Sequence, residues 1–162
     1  MGLTNTKIKS LNSLKNTVKA FKEEGKKIVL ANGGFDLLHY GHIVYLKEAK
    51  EQGDVLIVAV NSNSSIKKLK GEDRPIVDEK GRAYLIASLS FVDYVIIFNE
   101  NTVKNILLKL KPDYHVKGPD YTIKTIAESE FSSKLGIETK IVGEGKNHST
   151  TDIIKKVRKI YG

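Results

Sequence analysis

Apolar positions in this chain follow two alternating rhythms. Over residues 10–27, Leu11, Leu14, Val18 and Phe21 recur at spacings of three, four and three, so they share one helical face. Ser10 stands where an N-cap belongs and Gly25 where the chain leaves the helix. "KIVLA" (27–31) reads as a short β run, and "IVYLKEAKEQG" (43–53) as a helix closed by Gly53. "DVLIVAVN" (54–61) is almost unbroken in its apolar character, as in a strand covered on both faces. "SIKKLKG" (65–71) fits a short basic helix or turn. A helix with an acidic first turn follows over 78–92, then a strand over 93–98. The next helix spans 101–112, capped by Asn101 or Thr102 and stopped before Pro112. A strand over 113–118, a helix over 125–136, a strand over 138–143 and a helix over 149–162 complete the chain. Five strands alternating with helices predict an α/β fold with a doubly wound, five-stranded parallel sheet and right-handed crossovers. An N-terminal helical extension (1–26) precedes a single domain (27–162) with no internal repeat.

The length of 162 residues suits one domain with a sizeable core. No apolar run reaches membrane-spanning length, and the polar N-terminus lacks the apolar segment of a secretory signal. "MGLTNT" does match the short N-myristoylation pattern. Cysteine is absent, which removes disulfides and thiolate metal sites and makes a reducing cytoplasm the expected location. The formal net charge of +8 suits an anionic partner, but the lysines are spread along the whole chain. A nucleic-acid surface concentrates its basic residues and interleaves aromatics, so neither nucleic acid nor membrane is the expected partner.

Chemistry gathers at "NGGFDLLHYGH" (32–42), directly after the first β run. In open α/β sheets ligands sit beyond the carboxyl ends of the strands, and the first strand–helix loop is the usual place. Asn32 opens that loop. Gly33 and Gly34 permit close backbone approach and unusual φ, so that N–H groups can face a phosphate. The following helix points its positive N-terminus at the same spot. The pattern is neither a Walker A loop nor a dinucleotide-binding glycine motif. His39 and His42 lie three apart on one helix face, and two imidazoles there suit a transition state that gathers negative charge on phosphorus. A second reading takes Asp36, His39 and His42, at i, i+3 and i+6, as a metal-binding face.

"GGFDLLHYGH" resembles the H-x-G-H signature of the nucleotidyltransferase superfamily, and "STTDII" (149–154) resembles its second signature. Within it, the chain more closely resembles bacterial heptose 1-phosphate adenylyltransferases, the ADP-heptose synthase domains of lipopolysaccharide-core biosynthesis. The similar pieces are "NGGFDLLHYGHIVYLKEAKEQGDVLIVAVNS", "LKGEDRPI", "VDYVIIF", "KPDYHVKGPDY" and "STTDIIKKV", in family order over nearly the whole chain. The chain departs from the family pattern at Ala31, Gly34 and Pro119. The resemblance implies a Rossmann-like fold and a reaction of ATP with a sugar 1-phosphate that gives an ADP-sugar and pyrophosphate, with Mg²⁺ accompanying the ATP.

It further implies that His39 and His42 hold the triphosphate and stabilise the transition state at the α-phosphorus. The N–H groups of Gly33, Gly34 and Phe35 would bind phosphate, and Asp36 would anchor the loop or a Mg²⁺, or simply cap the helix. Lys70, beside Gly71, is the cation expected to swing onto the phosphates from a mobile loop, with Lys67 and Lys68 as competitors. Arg82 is expected to contact the phosphates. Ser149, Thr150 and Thr151 would hold the β- and γ-phosphates from the last helix start, or only cap it. Lys117, Gly118, Asp120 and Tyr121 would bound the nucleotide or sugar pocket. His115 and His148 receive no role. The nearest rival is a cytidylyltransferase acting on glycerol 3-phosphate or another polyol phosphate, a relative that places an arginine shortly before the Ser-Thr-Thr turn, where this chain offers Lys146. A flavin adenylyltransferase and a nucleotide-binding module without catalysis are further alternatives. A homodimer is expected, from the apolar leading helix and "SFVDYV" (90–95).

Overall fold

A computed structural model describes residues 5–143 and 149–162. Its central strand, β1 (Ile28–Gly33), sends Val29 and Ala31 to one face of the sheet and Ile28 and Leu30 to the other. Both sets are completely buried. β2 (Val55–Asn61) is buried along its whole length, which is why its sequence is a nearly unbroken apolar run. With β3 (Tyr94–Phe98), β4 (Tyr114–Lys117) and β5 (Glu138–Ile141) these form one parallel sheet in the order β3-β2-β1-β4-β5.

The helices cover both faces, as the alternation of elements predicts. α2 (Tyr40–Lys50) and α4 (Glu79–Ala87) bury Leu46, Ala49, Ala83 and Ile86 against Val29, Val58 and Val60. On the other face α1 (Leu11–Glu23) and α5 (Lys104–Leu110) bury Leu14, Val18, Ile106 and Leu107 against Ile28, Leu30 and Ile57. The leading helix therefore completes the core layer, and ahead of it Ile8 pairs in parallel with Val95 of β3. Ser10 caps α1 through the Ser13 N–H, and Gly25, at φ +75°, lets the chain leave it.

Several boundaries differ from the sequence expectation. α5 starts at Lys104, not at Asn101 or Thr102, because Val103 is drawn fully into the core and its N–H donates to Glu128 Oε1. The basic stretch is a complete helix, α3 (Asn63–Lys70), capped by Ser62. The helix expected over 125–136 shrinks to α6 (Ser129–Lys134), preceded by a 3-10 turn (Ile123–Thr125). α7 (Thr150–Tyr161) starts one residue after the expected position, with Ser149 as its cap. The two segments from which a homodimer was expected lie within one chain's own core: Leu14, Val18, Val92 and Val95 are buried there. Among the described residues no helix is long and apolar enough to cross a membrane. The myristoylation pattern at the N-terminus, Lys146 and His148 lie wholly or partly outside the described residues.

Candidate active site

The strand order reverses direction between β1 and β4, so the gap at their carboxyl ends is the topological switch point. The loop from Gly34 to His39 rises there. Gly33 and Gly34 were expected to supply the unusual φ, but the left-handed residues are Phe35 (φ 51°) and Leu37 (φ 52°). For bulky residues this conformation is strained by about 1 kcal/mol or more. It turns the Phe35 ring back over Gly33, where an added Cβ would stand 3.1 Å from the ring. The ring is thereby buried, stacked on Tyr45 and edge-on to His42. The glycines thus supply closeness rather than φ. Neither the Gly34 nor the Phe35 N–H donates to a protein group among the described residues outside the sheet ladder.

His39 is the N-cap of α2 and His42 its third residue, with the two rings stacked at 3.8 Å. His42 Nδ1 faces the His39 N–H at 3.4 Å and accepts from it, which leaves the ring proton on Nε2. Burial, followed by the neighbouring His39 and Lys70, pulls the His42 pKa down to about 4 against a partial pull from Asp36. His42 is therefore a neutral hydrogen-bond donor at physiological pH.

Asp36 does not cap α2, whose N-cap is His39. It is buried, and it accepts from the Ile76 and Val77 N–H groups (3.0 Å each, on Oδ1) and from Arg74 Nε (2.8 Å, on Oδ2). Burial alone would raise its pKa, but these donors outweigh it and hold the carboxyl below its usual range. Asp36 is thus a loop anchor that ties residues 74–77 beside the first loop. With its oxygens so engaged, it does not fit a metal ion as a ligand, and imidazoles suit Mg²⁺ poorly.

Lys70 lies on the last turn of α3, not in a loop, and the left-handed Gly71 (φ +101°) follows it. A Cβ on Gly34 would stand 3.8 Å from Lys70 Nζ, so the ammonium already lies over the first loop. Burial lowers its pKa, Arg74 and Arg82 lower it further, and Asp36 works against them. Lys67 instead pairs with Glu72 at 3.5 Å.

Arg82 departs from expectation. It is completely buried, and its guanidinium donates to the carbonyls of Val77, Gly34 and Asn61 and to Asn63 Oδ1 (2.6–3.0 Å). Through Gly34 it holds the first loop, and its donors are engaged by these protein acceptors. Arg74, which had no assigned role, is the arginine beside Lys70 and Asp36. Its signal was the polar run "GEDRP" ahead of a helix, which says nothing of where the side chain lands.

Thr150 Oγ1 donates to the Asp36 carbonyl, so the start of α7 meets the first loop. Ser149 accepts from the Asp152 N–H as an N-cap, and Thr151 is exposed. At the end of β4, Lys117 is buried with its ammonium 4.4 Å from the Tyr121 ring centre and 3.4 Å from Asn32 Oδ1. Gly118 follows it, while Asp120 and Tyr121 lie exposed at the rim. The start of α2 with its neutral imidazole donor, Lys70 and Arg74 lie close to one another beside Gly34, where Asp36 is already engaged. An anion is what this set accommodates.

Comparison with known proteins agrees with that chemistry. Residues 30–156 match the cytidylyltransferase-like family. The chain is 44% identical over 159 residues to the bifunctional protein HldE of Geobacter metallireducens, covering 98% of this chain and 32% of that protein. It is 48% identical over 146 residues to the protein of the same name from Helicobacter pylori strain G27, covering 90% of this chain and 31% of that one. The chain thus spans about a third of the length of these curated relatives. Among solved structures, a lipopolysaccharide core biosynthesis protein from Thermoplasma volcanium superposes with a TM-score of 0.61 at 40% identity, covering 73% of this chain and 95% of that one. Matched over most of its length by the family and along nearly all of a solved relative, the chain belongs to the cytidylyltransferase-like family and is a nucleotidyltransferase.

Proposed function

We propose that the protein is an adenylyltransferase that joins D-glycero-β-D-manno-heptose 1-phosphate to the AMP moiety of ATP. A phosphate oxygen of the sugar attacks the α-phosphorus, a new P–O bond forms, the bond to the β-phosphate oxygen breaks, and pyrophosphate leaves. The nucleophile is already anionic, so no general base is required, and the work is positioning and charge stabilisation. The observation that carries the reading is the stacked pair His39 and His42 at the start of α2, with the Lys70 ammonium close enough to act on His42 and lying over Gly34. The choice of sugar is supported by the names of the relatives, HldE and a lipopolysaccharide core biosynthesis protein.

In this reading His39 and His42 hold the triphosphate, with the N–H groups of Gly33, Gly34 and Phe35 beneath it. Lys70 covers it from α3, and Ser149, Thr150 and Thr151 approach the β- and γ-phosphates. Asn32, Lys117, Gly118, Asp120 and Tyr121 bound the pocket at the switch point. Nucleotidyltransferases generally use a divalent metal with the triphosphate, and we take it here to be Mg²⁺ carried by ATP rather than by protein carboxylates. A cytoplasmic location belongs to the same reading. A homodimer is the notion least supported in this reading, since Leu14, Val18, Val92 and Val95 of the two segments that suggested it are buried within one chain.

The family name itself favours a second reading, a cytidylyltransferase for a polyol phosphate. Pyrophosphate release measured with ATP, CTP, GTP and UTP against heptose 1-phosphate, other sugar 1-phosphates and glycerol 3-phosphate separates the two. ATP with heptose 1-phosphate is the expected pair, and turnover confined to CTP with a polyol phosphate overturns the proposal.

A further inference from the structure

His115 stands in the middle of β4 and is completely buried. Its Nε2 lies 3.0 Å from Asn32 Oδ1, across the gap between β4 and β1. The same oxygen is 3.4 Å from Lys117 Nζ. An ammonium has no lone pair to offer, so the Asn32 atom facing both groups is the carbonyl oxygen, and His115 Nε2 must carry the proton. The other ring nitrogen, Nδ1, is then a bare acceptor, and it is buried with no hydrogen-bond partner among the described residues. A leucine or isoleucine would fill this position without an orphaned polar atom, so packing gives no reason for a histidine here. The reason lies at Nε2.

Asn32 is the last residue before the glycines of the first loop and sits beside the switch point. A side-chain amide can present oxygen or NH₂ by a simple flip, and an anion accepts only the NH₂. Lys117 alone, at 3.4 Å, holds the oxygen weakly. We propose that His115 is a positioning residue for nucleotidyl transfer: its Nε2–H fixes the Asn32 amide so that Asn32 offers NH₂, and Lys117 its ammonium, to the anionic substrate at the β1–β4 gap. The inference rests on the reading of that gap as the substrate site. His115 itself touches no substrate.

The test compares His115→Leu and His115→Gln in the full chain. Leucine removes the donor and the orphaned acceptor together. It is expected to lower kcat/KM roughly ten- to hundred-fold, as loss of positioning does, while the melting temperature stays at or above that of the parent. Glutamine carries an NH₂ on a side chain of similar reach and should recover most of the lost kcat/KM. A structural role alone would instead move stability and activity together. A His115→Leu protein with parental kcat/KM, or a folded His115→Gln protein as impaired as the leucine variant, overturns the proposal. If the parent releases no pyrophosphate with any substrate pair, the functional reading fails and the positioning role with it, whereas ¹⁵N NMR of the histidine ring tests the His115–Asn32 contact separately. A bare Nδ1 with protonated Nε2 in the resting protein supports it, and the opposite tautomer or an imidazolium overturns it.

Discussion

His42 shows how a residue's surroundings select its chemistry. Burial and the neighbouring His39 and Lys70 keep its ring neutral, with a pKa of about 4, and the His39 N–H fixes its tautomer. A neutral Nε2–H donor needs no proton from solvent to act on a phosphate oxygen. His42→Ala should therefore lower kcat by roughly 10²–10³, the loss typical of one preorganised donor, with a much smaller change in ATP affinity. Steady-state kinetics beside a binding titration checks this, and near-parental turnover would remove His42 from the mechanism. Arg82 gives the contrasting case. Its replacement by methionine leaves three carbonyls and one side-chain amide without their donor. At about 1–3 kcal/mol per unmet buried polar group, the stability loss should exceed about 2 kcal/mol. Urea unfolding measures it, and an unchanged midpoint would return Arg82 to a role at the ligand. Nothing in "DEKGRAYL" distinguishes these outcomes, because an arginine on an acidic helix start reads equally well as exposed or buried.

At the scale of elements, α3 and its exit carry the next expectation. The helix places Lys70 over Gly34, whereas Lys67 is turned to Glu72. Lys70→Ala should lower kcat/KM strongly and leave the unfolding midpoint almost unchanged, and Lys67→Ala and Lys68→Ala should do less. Equal losses in all three variants would reduce the effect to general electrostatics. The polar connection after Gly71 is tied down at its far end by Asp36, which receives the Ile76 and Val77 N–H groups. ATP with Mg²⁺ should close this connection further and slow tryptic cleavage within 67–74. Equal cleavage with and without nucleotide would count against closure. A periodic basic stretch was legible as helix or turn. Its alignment with Gly34 was not, since that depends on where the β2–α3 junction lies relative to β1.

For the molecule as a whole, the buried imidazoles set a pH dependence. The folded-state pKa values of His42 (about 4) and His115 (about 3) lie below the ordinary histidine value of 6.5. The unfolded chain thus binds more protons between these values, and stability falls as pH drops from about 6.5 through that window. Asp36 also has a depressed folded pKa, so its contribution, present above the ordinary value of 3.8, is lost at still lower pH. Urea midpoints at pH 7, 5.5 and 4.5 should fall in that order. His115→Leu should make the decline shallower by up to about 1.4 kcal/mol per pH unit, its share of the proton uptake. A midpoint flat between pH 7 and 4.5 would show that these rings are not neutral in the folded state.

The alternation of apolar runs and amphipathic stretches determined the class of fold by itself. A buried parallel strand and a one-faced helix leave period and composition signatures that no other packing explains as well, and Ser10 and Gly25 marked the ends of the first helix. The dense "NGGFDLLHYGH" likewise marked the candidate site, because glycines, donors and a helix start in one short segment suit phosphate chemistry. The strand order and the partners of each polar side chain came only with tertiary structure. Asp36 meets residues 74–77, Arg82 meets Gly34, and His115 meets Asn32 across separations of 38 to 83 residues. Local patterns carry no record of such pairings, since each is made by two elements docking on the same sheet. The same physics moved the positive φ from the glycines to Phe35 and Leu37: burying the Phe35 ring against Tyr45 and His42 outweighs a strain that local preference assigns to glycine.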